Sequence, residues 1–575
     1  MDNNLYIDYL NSLHNYNAQN ENAYGERNID NPYFKDVMVR VGLCDYIKEN
    51  LTVKKPHILI LTGHAGDGKT SIMYQVLTDM GAEFDVKEKL SEITLPNGAK
   101  CLCVKDFSEI PEEEQTNHID RINVMKKSVD MVKNGNYVFM VANTGPLINT
   151  FGELFDTNDN KEKSRIQLIN MMDNNDGEIK FIQDVPLCVI NVATVDNVYF
   201  ATEFLEKIIQ DNLWEKCEAC NKHHYCHIYR NRNLIVENKT KVYEFINNHF
   251  IWLTEYGTRL TIRSMTEQLA YMITGGMSCE EATNNDAYKY LFSNLFFGYI
   301  GTKLNARALN IIAIAAANKC MYDHKRLRSD EKLLVGKEYK DMFGNAIKEI
   351  ITDAEKNNAF IGGWTEFLRR TYLFTNIITD DVVISHDYED VFSKQFKRYL
   401  VLRDGIDTPS KTDANLIADA LSMIYIGTPS DGTEIPLTLS RESGITQNVQ
   451  LITGTIPVRK LRVKSIKTKD STFNKGKDRY ELRLEIDRTS LDTILTLPML
   501  DYFEELKNGV IATNIDPQLS HGVESLKTQI SELLEEDEDE NVIEIVVLKN
   551  SGNDNIRLEL TGDGKIREVI VSNDL

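Results

Sequence analysis

One octapeptide limits what this 575-residue chain can fold into more than anything else in it: Gly63-His64-Ala65-Gly66-Asp67-Gly68-Lys69-Thr70. It satisfies G-x-x-x-x-G-K-[ST], a pattern expected by chance on the order of one time in a hundred in a chain this long. The flanks lower that further. His57 to Leu61 is a short apolar run of the buried-strand kind, and Ser71 to Leu77 carries a helical pattern with no breaker. Strand, glycine loop and helix N-terminus together make an anion cradle, in which backbone N–H groups turn toward phosphate oxygens and the helix dipole adds positive charge. Gly63, Gly66, Asp67 and Gly68 would shape the loop. Lys69 would reach the β- and γ-phosphates, the Thr70 hydroxyl would ligate Mg²⁺, and Ser71 would lie near the α-phosphate. The expected cofactors are ATP and Mg²⁺. Hydrolysis is a separate question, because such a loop holds phosphate whether or not the rest of the machinery is present.

Past the loop helix, Lys100 to Asp106, Tyr137 to Ala142 and Val185 to Ala193 read as further parallel strands separated by helical patterns such as Asp120 to Lys133. Alternating strands and helices predict an α/β fold, a doubly wound parallel-sheet P-loop NTPase domain with ligand groups at the carboxyl ends of its strands. The expected division is a helical segment over 1–50, the NTPase core over 51–203, and a metal-binding insert with a helical lid over 204–330. A helical domain over 331–425 and a β-rich C-terminal domain over 426–575 complete it. Asp537 to Glu540 reads as an acidic solvated linker.

An NTPase also needs a carboxylate for Mg²⁺ and a group that orients the attacking water. The Cys101–Lys105 strand ends in Asp106-Phe107-Ser108-Glu109. Asp106 is the candidate Mg²⁺ partner, or else the cap of the next helix; Glu109 is the candidate for polarising water. Asn143, at the end of the third strand, is placed to sense the γ-phosphate, or else serves the turn before Gly145. Arg263 opens the helical pattern that runs to Thr274 and would couple phosphate to a lid, with Arg259 as its substitute. A surface arginine paired with an acid is the plain alternative. Arg369-Arg370 reads either as a trans-acting finger or as a structural pair.

Cys217-x-x-Cys220, followed by His223, His224, Cys226 and His227, packs three cysteines and three histidines into eleven residues. Thiolates at C-x-x-C spacing reach one ion from a single tight turn. The expectation is a closed, structural Zn²⁺ shell of Cys217, Cys220, Cys226 and His223, a zinc-knuckle-like insert. The turn between Cys220 and His223 is short, so a ligand distant in sequence stays open. The remaining cysteines are scattered, as in a reducing compartment.

A net charge of −22 argues against a surface that binds DNA everywhere; DNA would be met through partners or a local basic patch. Arg459, Lys460, Arg462, Lys464, Lys467, Lys469, Lys475, Lys477 and Arg479 supply one such stretch, read either as a phosphate-binding strand face or as a solvated hairpin. No apolar run approaches the roughly 20 residues that span a bilayer. Met1-Asp2-Asn3-Asn4 is unlike a secretory leader, so a cytoplasmic location without membrane contact is expected.

The order of motifs resembles the DptF family, also called DndF. The resemblance rests on Gly66-Asp67-Gly68-Lys69-Thr70, Asp106-Phe107-Ser108, Val141 to Leu147, Leu260-Thr261-Ile262-Arg263, Ile273-Thr274-Gly275 and Leu291 to Phe296. It covers about residues 30–300. It implies an AAA-like ATPase subunit of phosphorothioation-dependent bacterial DNA restriction, working with other defence subunits and open to self-association. A nucleotide-gated scaffold with little hydrolysis and a DNA-translocating motor are the alternatives.

Overall fold

The computed structural model describes residues 4–16, 31–82, 88–111, 120–156, 162–283, 287–335, 339–356, 362–377, 387–438, 449–473, 478–510, 515–534, 542–549, 552–561 and 564–573. The acidic stretch Asp537–Glu540 and the lysines Lys475 and Lys477 lie outside them. The chain forms two compact units, 1–387 with 469–477, and 388–468 with 478–575. The helices of 388–425 thus belong with the β-rich C-terminal part, not with the helices before them.

In the first unit, helices α1 (Leu5–Ser12), α2 (Phe34–Val37) and α3 (Leu43–Thr52) precede strand β1 (Ile58–Thr62) and helix α4 (Lys69–Asp79). There follow β2 (Leu90–Thr94), β3 (Lys100–Val104), α5 (Arg121–Lys133), β4 (Tyr137–Val141), α6 (Thr144–Phe155), α7 (Lys163–Asn174), β5 (Ile179–Ile182) and β6 (Val185–Asn191). The six strands make one sheet in the order β2-β3-β4-β1-β6-β5. Its four central strands are parallel, with Ile58 opposite Val138 on one side and Leu187 on the other, and Cys101 opposite Tyr137. The three strands expected after the glycine loop are these three.

The sheet is apolar on both faces because both are covered. Along β1, Leu59 and Leu61 join one core with Ile47 and Leu51 of α3 and Met73 and Val76 of α4. Ile58 and Ile60 join the other, with Met125 of α5, Phe151 of α6 and Leu168 of α7. The antiparallel edges β2 and β5 escaped the sequence reading: β2, Leu-Ser-Glu-Ile-Thr, is half polar and buries only Ile93. Phe473, in the segment 469–473, is buried in the first of these cores beside Tyr46, ring centroids 5.6 Å apart.

Helices α8 (Phe200–Ile208), α9 (Asp211–Glu218), α10 (His227–Glu237), α11 (Lys239–Glu255) and α12 (Ile262–Thr274) follow. The last starts because the Thr261 side chain accepts the Ser264 N–H at 3.2 Å, and it stops at left-handed Gly275. The short strands β7 (Tyr299–Ile300) and β8 (Lys303–Leu304) close this unit's strand set.

The second unit carries β9 (Glu434–Thr438), β10 (Val449–Pro457), β11 (Leu461–Lys467), β12 (Tyr480–Ile486), β13 (Thr489–Ile494), β14 (Val542–Lys549), β15 (Gly552–Leu560) and β16 (Ile566–Asn573). They form a five-stranded antiparallel sheet, β16-β15-β14-β10-β9, and a three-stranded one, β11-β12-β13. Among the described residues, no helix is long and apolar enough to cross a membrane.

Candidate functional site

The glycine loop leaves the carboxyl end of β1 and delivers the chain into α4 through Gly68, whose φ of 80° only glycine adopts without strain. Gly66 (φ 92°) is held for a second reason. A Cβ there would sit 3.0 Å from Thr261 Oγ1 and 3.2 Å from Arg263 Cβ, so the loop backbone is pressed against the first turn of α12. The Arg263 N–H donates to the Gly66 carbonyl at 3.2 Å.

Asp67 does not face the cavity. Fully buried, it accepts the His64 N–H at 2.9 Å and an Arg259 N–H at 3.0 Å, and Arg259 also donates to the Val192 carbonyl at 3.2 Å. Arg259 is thereby a brace for the loop. Lys69, 7% exposed, folds back to donate to the His64 and Gly63 carbonyls at 2.7 and 3.2 Å. Burial pushes its ammonium below the ordinary lysine range; Asp67 and Asp106 oppose that, and Arg263 adds to it.

A cavity of about 250 Å³ opens over this loop. Its polar lining is Gly66, Gly68, Lys69, Thr70 and Ser71 from the loop and α4, Asp106 after β3, Asn143 after β4, and Arg263 of α12. Asp106 serves in both ways weighed from the sequence: one oxygen accepts the Ser108 N–H at 2.8 Å, capping a short helical turn, while the residue lines the cavity. Asn143 stands at the N-cap of α6 without a side-chain cap bond, its own N–H held by the Ser108 hydroxyl at 2.8 Å. Glu109 is a correction. It lies outside this lining, half exposed, ion-paired with Lys89 at 3.3 Å, because the turn capped by Asp106 carries it away.

Gln75 of α4 and Thr266 of α12 add two polar groups, and an apolar wall was not foreseen: Tyr9 of α1 and Leu13 just after it, Phe34 and Val37 of α2, Met38, Val39 and Val41 after it, Phe200 and Phe204 of α8, and Ile262. Gln75 of α4 donates to the Val39 carbonyl at 2.9 Å and accepts from the Cys44 thiol at 3.2 Å, fixing the 37–41 segment beside the loop helix. The alternation Val37-Met38-Val39-Arg40-Val41 was the available signal, but nothing in its spacing says that it folds back over a loop 25 residues downstream.

Arg369 and Arg370 resolve as a structural pair. Arg369 is ion-paired to Asp330, and Arg370, 1% exposed, to Asp323, with its guanidinium 3.8 Å from the Tyr299 ring centroid. The basic strand β11 is largely neutralised: Lys464 pairs with buried Glu485, Lys467 with Asp478 and Lys460 with Asp487.

In the cysteine cluster, Cys217 is buried on α9, Cys220 is exposed and Cys226 is the N-cap of α10. Burial pushes the Cys217 thiol up to about 11, with Cys226, Cys279 and Cys220 adding to it. The His223 Nδ1–H donates to the Cys220 carbonyl at 2.7 Å, and the ring centroid lies 3.8 Å from that of His224. As the side chains stand, no group of three or more His, Cys, Asp or Glu among the described residues is disposed to hold a metal ion.

No protein-family model matches this chain, and no curated protein matches it.

Proposed function

We propose that the first unit is a P-loop NTPase domain that binds ATP with Mg²⁺ over the Gly63–Thr70 loop and hydrolyses it, as the nucleotide-driven subunit of a bacterial DNA restriction or anti-phage defence system. The observation that carries the nucleotide reading is convergence. Lys69, Thr70, Asp106, Asn143 and Arg263 come from four separate stretches of chain and line one cavity, whose remaining wall is largely apolar. A triphosphate would draw Lys69 from the loop carbonyls, Thr70 and Asp106 would hold Mg²⁺, and Asn143 would orient the γ-phosphate or the attacking water. The apolar wall suits a base, which buries its faces against aliphatic and aromatic side chains. Arg263 would report the γ-phosphate to α12, the lid, whose first turn already touches Gly66. The pathway rests on the sequence resemblance alone, with DNA reached through partner subunits.

One observation favours the scaffold alternative. Asp106 is the single carboxylate among the described residues that line the cavity, and Glu109 is not among them, so this lining offers no second acid to activate water. Equilibrium ATP binding and phosphate release by the full chain and its Lys69→Ala variant, with and without duplex DNA, separate the two. Binding and turnover that both vanish in the variant support the ATPase; binding with no turnover in any mixture supports the scaffold. Binding unchanged in the variant defeats both.

A further inference from the structure

We propose that Cys217, Cys220, Cys226 and Cys279 form a tetrathiolate structural zinc site, with Cys279 in the place that the sequence spacing gives to His223.

The fold brings Cys279 there. Cys226 forms an isolated antiparallel bridge with Thr283, and the His227 N–H donates to the Ala282 carbonyl at 2.9 Å, so the 278–283 turn lies against the start of α10. The four sulfurs sit in one electrostatic neighbourhood: Cys226 and Cys220 act on Cys217, Cys220 acts on Cys226, and Cys279 acts on Cys217 and Cys226 and is acted on by Cys220. Four neutral thiols gain nothing from this crowding, and as thiolates they repel; a divalent cation at their centre reverses that sign.

The sulfurs also face donors of the kind that stabilise thiolate ligands. Cys226 meets the backbone N–H groups of Ile228 and Tyr229 at the N-terminus of α10. Asn4 serves two sulfurs at once: its side-chain amide donates to Cys217 Sγ at 3.1 Å, and its backbone N–H faces Cys279. The His223 ring donates its Nδ1–H to the Cys220 carbonyl and lies tilted against His224, which orients the C-x-x-C turn; that bond leaves Nε2 as the competing ligand, which the His223→Gln variant tests. Closing the shell requires rotation of side chains about χ1; of the four, Cys220 is exposed and Cys279 half-buried. Zn²⁺ binding would release the four thiol protons to solvent and leave a centre of net charge −2, with no position open for catalysis.

The site would act as a strut. Asn4 caps α1, and α1 and the residue just after it supply Tyr9 and Leu13 to the cavity wall. The zinc assignment itself does not rest on the nucleotide reading, because metal retention is measured without nucleotide.

The test is metal analysis of the full-length chain after dialysis against a chelator, followed by Co²⁺ substitution. The wild type should keep one zinc per chain, and Cys279→Ser should lose at least tenfold in retention, while His223→Gln keeps the metal. If Cys279→Ser does not fold, the cobalt spectra decide. The thiolate-to-cobalt absorption of the wild type should match four sulfurs, about a third more than three would give, and should be unchanged in His223→Gln. A wild type without zinc, a Cys279→Ser protein that retains it fully, or a cobalt spectrum altered by His223→Gln would overturn the assignment.

Discussion

The cations around the glycine loop and those of strand β11 began as the same kind of sequence signal, and the fold treats them oppositely. On β11, antiparallel pairing sets an acidic strand beside the basic one: Glu485 lies opposite Arg462, and Lys464 reaches the same carboxylate. Lys69 has carbonyls for partners, and Arg263 projects into the cavity with it. The nearest acid on the same helix, Glu267, one turn beyond Arg263, is pushed up to about 7 by burial, against the pull of Arg263. A charge already answered by a neighbour has little left for a ligand. One whose hydrogen bonds go to backbone carbonyls, in a site partly out of water, has more. Arg370, paired and buried, marks the structural extreme.

The largest effect should come from that extreme. Arg370→Ala leaves Asp323 buried without its partner and should cost about 3–5 kcal/mol in urea unfolding, while nucleotide affinity of the folded fraction stays within a factor of two or so of wild type. A variant of near-native stability that has lost nucleotide binding would move Arg370 into the functional set.

Next is Glu267→Gln, which probes why Arg263 is left unanswered. A carboxyl whose folded pKa is raised binds its proton more tightly in the native state, so its contribution is full below the ordinary value of 4.5 and lost as pH rises to about 7. The variant should therefore gain on the wild type through that window, by up to about 3 kcal/mol, and hold the gain above it. The difference between the two proteins isolates this term from buried His14 and His57, whose lowered values of about 4 tilt stability the other way. A difference flat from pH 4.5 to 8 would mean that Glu267 titrates normally and screens Arg263 after all.

Lys69→Ala should weaken ATP binding or turnover about a hundredfold, the usual scale for removing a buried charge aimed at an anion, with stability changed little. The smallest effect is expected on β11. Arg462→Ala with Lys464→Ala should change duplex DNA affinity by no more than about threefold and the log–log salt slope by less than about two. A tenfold loss with a flatter slope would erase the contrast between the two regions.

The central sheet was legible because strands buried on both faces have to be apolar throughout, and β1, β3, β4 and β6 are. The edges β2 and β5 were not, since a half-exposed strand with polar residues carries no such mark. Within the site, Lys69, Thr70 and Asp106 line the cavity for local reasons: Lys69 and Thr70 open the helix that the glycine loop joins to β1, and Asp106 stands just past the carboxyl end of β3. Glu109 failed on the same local scale, because the Asp106-capped turn rotates it outward, and spacing along the chain does not report which way a turn faces.

By itself, the sequence determined the strands of the α/β core, the glycine loop that follows β1 and the close spacing of Cys217, Cys220 and Cys226. These are written in periodicity and in residue types whose effect acts over a few positions. Only the tertiary structure decided which distant segments meet them: Val37 to Val41 and Phe200 closing the cavity, Arg259 bracing Asp67, and Cys279 arriving beside Cys226. Such meetings are set by the packing of whole helices and by sheet order, which distribute one contact over many residues and leave no local trace.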